Sequence, residues 1–205
     1  MSRRVAALVL ALSALLGSIA MRADELLSVT VIGDPRDPRA AAVEEAVGFW
    51  NGELARIGAG VRLGPVRFFD DESAARVLES LEVGELRVGD TYALRRLLPP
   101  IPGEIVVALS RSDRMSFGTA RTSRTKGFVS LRRGDIEPLS LPNVARNAAA
   151  HELGHALGLD HNADPSTLMC GRPAPCRPAA FESATPRFFP LTPDEERTLR
   201  ELWPK

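Results

Sequence analysis

All three histidines of this 205-residue chain fall in one short stretch, His151-Glu152-Leu153-Gly154-His155-Ala156-Leu157-Gly158-Leu159-Asp160-His161. No other feature constrains the fold as strongly. Val144 to Leu157 is helical in pattern and propensity, so His151 and His155, four apart, project from one face a turn apart. Two imidazoles at that separation can share one zinc ion. Gly158 then lets the backbone turn sharply, because glycine adopts positive φ at little cost. The turn can bring His161 back to the same ion from another direction. Three neutral imidazoles leave a fourth position open for water, as a catalytic zinc requires.

Glu152 follows the first of these ligands directly. A carboxylate there can reach water at the metal without binding the metal, take its proton as general base and pass it to a leaving amine. Zinc lowers the pKa of water and polarises a scissile carbonyl. These are the parts needed for peptide hydrolysis. The alternative is a core or solvated histidine cluster, since H-E-x-x-H arises by chance. The glycine and third histidine at their offsets, with no histidine elsewhere, favour the zinc site.

Ahead of this stretch, Leu27 to Ile32 reads as a strand ended by Gly33-Asp34-Pro35. Arg39 to Ile57 carries Ala42, Val43, Ala46, Val47, Trp50 and Leu54 at helical spacing, with Gly58 as a stop. Val61 to Phe69 resembles a second strand in which Gly64-Pro65 marks a bulge or an edge. Glu72 to Leu81 is a short helix candidate, and Val83 to Leu98 is ambiguous. Glu104 to Leu109 and Gly127 to Leu131 read as buried strands. Asn143 is the expected N-cap of the histidine helix. Six prolines make residues 162–190 mostly irregular. A last helix starts at Thr192-Pro193, with Leu199, Leu202 and Trp203 as its apolar face. The order predicts one α+β domain over residues 21–205, a twisted mixed sheet with an active-site helix and a C-terminal helix beside a cleft.

Residues 1–20 have the layout of a secretory signal peptide: basic Arg3-Arg4, an uncharged run from Val5 to Met21, and small residues at Ser18 and Ala20. The competing reading is a retained anchor helix. Export to the outside or the periplasm exposes Cys170 and Cys176 to oxidising conditions, where they can pair; two free thiols are the alternative. Acids and bases balance at 26 each, which excludes an argument for nucleic-acid binding from global charge. Of the bases only Lys126 and Lys205 are lysines.

His151 to His161 resembles the extended metzincin motif, H-E-x-x-H-x-x-G-x-x-H. Ser166-Thr167-Leu168-Met169 fits the Met-turn of that group. The Gly-Leu-Asp-His end of the motif, the short spacing to Met169 and Leu191-Thr192-Pro193-Asp194-Glu195 resemble the matrixin branch most closely. The resemblance covers roughly residues 143–203. It implies a zincin-like metalloprotease catalytic domain with His151, His155 and His161 as zinc ligands, Glu152 as catalytic base, and Met169 supporting the site without binding metal. Several features depart from the matrixin pattern. No histidine is left for a second, structural zinc, so one zinc ion is expected. No cysteine of the N-terminal half is available for a latency switch, and Pro175-Cys176-Arg177-Pro178, similar to a switch in composition, follows the site. Cys170 stands where relatives often carry tyrosine.

The reading is an exported, monomeric zinc metalloendopeptidase acting on protein or peptide substrates, with no nucleic-acid partner and no membrane attachment after signal cleavage. The alternatives are an inactive zinc-containing binding module, or an anchored peptidase specific for one partner. Extended peptides bind metzincins by adding to a sheet edge. Segment 104–131 is expected to supply that edge, either near Glu104–Leu109 or near Gly127–Leu131. Between Arg111 and Arg133 seven bases face one acid, Asp113. The run reads as a solvated face of an arginine-biased chain, the alternative being a preference for acidic partners. The 162–190 loop should shape the leaving-group side, with Phe188 and Phe189 lining the pocket or packing beneath it.

Overall fold

The computed structural model describes residues 24–171, 176, 183 and 186–205. The signal-peptide reading of residues 1–20 lies outside them. Among the described residues no helix is long and apolar enough to cross a membrane.

Ten elements follow one another: β1 (Glu25–Ile32), α1 (Pro38–Ile57), β2 (Val61–Phe68), α2 (Glu72–Glu82), α3 (Thr91–Leu97), β3 (Ile105–Leu109), β4 (Phe117–Thr119), β5 (Gly127–Leu131), α4 (Pro142–Ala156) and α5 (Pro193–Leu202). The strands form one sheet in the order β2-β1-β3-β5-β4. All pairs are parallel except β4 with β5. This is the mixed α+β architecture expected from the order of elements.

The sheet is covered on both faces, which explains the continuous apolar run of β3. Ile105, Val107 and Leu109 point into a core shared with α1 and α4, whereas Val106 and Ala108 point into a second core with α2 and α3. The period of two that separates successive strand residues therefore feeds both layers. The Gly64-Pro65 irregularity falls on β2, an edge strand, where the register of β1 shifts between Leu27 and Val29.

Two tethers hold α1 against the rest. Trp50, fully buried, donates its indole N–H to the Ala150 carbonyl of α4 at 2.9 Å. Arg39, also buried, donates to the carbonyls of Ser110, Leu131 and Arg132 and pairs with Asp37, the N-cap of α1, at 2.5 Å. Burial pushes the Asp37 carboxyl up, but hydrogen bonds from the Arg39 side chain and backbone outweigh it and hold its pKa below the ordinary value.

Two expectations need correction. Helix α4 starts at Pro142, and its N-cap is Leu141 with no side-chain cap bond. Asn143 lies inside the first turn and is buried, its amide turned toward the chain near Ser183 and Arg187. Neither β3 nor β5 offers a free edge, because each is paired on both sides. The edge on that side is β4, whose three residues are too few to show alternation in sequence. The ambiguous stretch before residue 98 resolves into α3, capped by Asp90.

Candidate metal centre

Helix α4 carries His151 and His155 and ends in a Schellman turn. Gly158 N–H bonds to the His155 carbonyl and Leu159 N–H to the Gly154 carbonyl, each at 3.0 Å, with Gly158 at φ 105°. The chain reverses within this one turn, so His161 returns to the helix face it has just left. The Nε2 of His161 lies 3.1 Å from that of His151 and 3.0 Å from that of His155.

The other ring nitrogens decide what those Nε2 atoms are. His151 Nδ1 meets the Leu168 carbonyl at 2.7 Å, and His155 Nδ1 meets the Leu159 carbonyl at 2.7 Å. A carbonyl only accepts, so each Nδ1 carries a proton, and in the neutral ring Nε2 is then left with a bare lone pair toward the centre. Burial, the larger effect, lowers the pKa of His155 and keeps it neutral. An Nε2–H of His161 can point at only one of these two lone pairs, whereas a cation at the centre is shared by all three nitrogens. Tetrahedral zinc with Zn–N of about 2.0–2.1 Å separates its nitrogens by roughly 3.3 Å, close to the two spacings made by His161, and the ligand atoms of all three histidines lie within 4.8 Å of one another. The donor set therefore fits a zinc ion, and backbone carbonyls already supply the outer hydrogen bonds that such ligands require.

Glu152 is buried beside the histidines, 8% exposed, and burial pushes its pKa up to about 8. It sits one position along α4 from His151, as the spacing predicted.

Met169 is fully buried beneath α4. A Cβ on Gly154, between the two helical histidines, would stand 2.5 Å from the Met169 sulfur and 3.0 Å from Trp50. Only a residue without a side chain lets Met169 pack directly under the turn that carries the two helical histidines. Gly171 does the same for His161: a Cβ there would lie 2.1 Å from the ring's Cγ. Sequence reading passed over Gly171; its one signal is a small residue two positions beyond Met169. Strand β4 also comes close, since a Cβ on Gly118 would lie 2.4 Å from the Glu152 carbonyl oxygen. The free edge thus runs along the histidine helix.

The loop after His161 is braced by α5. Asn162 donates to Glu195 Oε1 at 2.5 Å and to Thr167 Oγ1 at 2.9 Å, and Glu195 closes a capping box with Thr192. Trp203 donates to the Leu157 carbonyl at 3.0 Å. The sulfurs of Cys170 and Cys176 lie at bonding distance, with Cα atoms 5.7 Å apart. Phe188 stacks on Phe49 at 4.5 Å and Phe189 is buried in the core, so both pack beneath the cleft. The basic run does not form one patch. Arg121 pairs with Glu25 and lies over Trp203, whereas Arg111 and Arg133 line a separate cavity at the start of α1 and α4.

The matrixin family model matches residues 130–183, which span the end of β5, all three histidines and Met169. Within that segment the chain is similar to matrixins. The fold is similar to the crystal structure of archaemetzincin from Methanopyrus kandleri, 18% identical over 89% of this chain and 97% of that one, with a TM-score of 0.48. No curated protein matches.

Proposed function

We propose that this protein is an exported zinc-dependent metalloendopeptidase, in which His151, His155 and His161 hold one catalytic zinc and Glu152 is the general base. The observation that carries the reading is the convergence of three imidazoles, with His161 Nε2 3.1 Å and 3.0 Å from the Nε2 atoms of His151 and His155 and Nδ1 of both helical histidines tied to backbone carbonyls. Bound zinc supplies Lewis acidity toward a scissile carbonyl and acidifies water at the site.

The chain's own residues do the rest. Glu152 as carboxylate takes a proton from the attacking water and hands it to the departing amine. Its burial suits this role, because a carboxyl with a raised pKa holds the proton between the two transfers. A cation between the imidazoles favours the carboxylate form and brings that pKa back down toward neutrality. Substrate backbone has one free strand edge beside the site, β4, and an extended peptide added there lies along α4 next to Glu152 and His155. The N-terminal leader of residues 1–20 supports export, which N-terminal sequencing of the mature chain tests.

The deciding experiment pairs metal analysis with Glu152→Gln. Both proteins should hold about one zinc per chain, while cleavage of a general protein substrate falls by about 100-fold or more in the variant. A wild type that takes up no zinc on reconstitution sinks the reading. Undiminished cleavage by the variant removes Glu152 from the role of base.

A further inference from the structure

Four residues of α4 stand four apart: Asn143, Asn147, His151 and His155. At 3.6 residues per turn they share one side of the helix. The histidines face the metal centre. The asparagines hold a different stretch of backbone.

Asn147 is 1% exposed, and all of its amide is used. Its Nδ2 donates to the Asn143 carbonyl at 2.8 Å and to the Arg187 carbonyl at 2.9 Å, and its Oδ1 accepts from Phe189 N–H at 2.9 Å. The side chain thus reads both backbone polarities of residues 187–189, as a neighbouring strand would. The next residue, Pro190, has no N–H and offers only its carbonyl. Its carbonyl accepts from Leu168 N–H at 2.9 Å. The carbonyl of Leu168 in turn accepts from His151 Nδ1 at 2.7 Å. The circuit leaves α4 at Asn147, crosses two loop segments and returns to α4 one turn later, at the first metal ligand.

We infer that Asn147 is a positioning residue for the metal centre, setting the ring of His151 through the 187–190 backbone and Leu168. The inference rests on the zinc-peptidase reading. Backbone carbonyls that orient ligand imidazoles typically change metal affinity by about 10–100-fold when disturbed. Asn147 acts one link further out, so the lower end applies.

The test measures zinc affinity by chelator competition, with folding followed by circular dichroism, for wild type, Asn147→Ala and Asn147→Asp. The aspartate keeps the acceptor for Phe189 N–H but sets an oxygen against the Asn143 and Arg187 carbonyls. Asn51→Ala is the control. It removes a similar two-bond clamp, onto the backbone of Leu63 at 2.8 Å on each bond, far along the chain from the histidines. Both Asn147 variants should bind zinc about 10-fold more weakly, while Asn51→Ala loses thermal stability and keeps its zinc affinity. Zinc affinities within about twofold of wild type in the folded Asn147 variants overturn the proposal. Should neither variant fold, native-state hydrogen exchange of the wild type decides. The proposal requires the Phe189 and Leu168 amides to open together, and independent exchange overturns it. A wild type without zinc affinity sinks both this role and the function it serves; tight wild-type binding with unmoved variants sinks the positioning role alone.

Discussion

Replacing Gly171 by alanine isolates one physical cause in the metal centre. The added Cβ would stand 2.1 Å from His161 Cγ, 2.4 Å from Nδ1 and 2.5 Å from Cδ2. Carbon atoms rest at about 3.5–4.0 Å, so the ring must retreat by about 1.4 Å or the turn must unwind. The turn resists, because Gly171 N–H is held by the Asn162 carbonyl at 3.0 Å and Asn162 follows His161 directly. Metal–ligand distances tolerate only about 0.2 Å, so a shift of that size removes the third imidazole from the ion. Zinc affinity by chelator competition should fall by about 100-fold, at the upper end of what disturbing a ligand's surroundings causes. Gly52→Ala is the matched comparison. Its Cβ meets nothing within 4 Å in the middle of α1, so it should gain about 0.5–1 kcal/mol in stability and leave zinc binding unchanged. If Gly171→Ala binds zinc as tightly as wild type, close packing is not what seats His161.

Two further outcomes test the scaffold. Trp50→Phe removes an indole donor from the buried α1–α4 interface and should cost about 2–3 kcal/mol in urea denaturation; a loss under about 0.5 kcal/mol would mean that Trp50 does not tie α1 to the site. Asp37→Asn leaves the buried Arg39 without its carboxylate and should cost about 3 kcal/mol at neutral pH. Because the folded pKa of Asp37 is depressed, the stabilisation is present above its unfolded value of about 3.9 and lost as pH falls through the folded one. The gap between wild type and variant should therefore close in acid. A gap that stays constant from pH 7 to acid would refute the carboxylate's part.

Where function depends on neighbours in sequence, it was legible before any coordinates. His151, Glu152 and His155 fall on one helix by periodicity, and Gly158 and His161 complete the centre within a single turn, a short-range device. The long apolar strands and the Thr192-Pro193 helix start were readable for the same reason. Strand β4 lies inside the expected 104–131 segment, but its three residues carry no pattern, so the sequence points to the two interior strands beside it. Asn143 suits a cap by type and place, but tertiary contacts near Ser183 and Arg187 claim its amide instead.

The sequence by itself thus determined the grouping of the three histidines, the carboxylate of Glu152 beside them and the class of fold, because each follows from local geometry. The tertiary structure alone decided how the ligands are held. Gly154 and Gly171 matter through atoms of Met169 and His161 packed against them. Asn147 matters through a backbone segment some 40 residues away. Contacts between distant parts of a chain leave no spacing to read, since they are set by how the layers close on one another and not by the period of any one element.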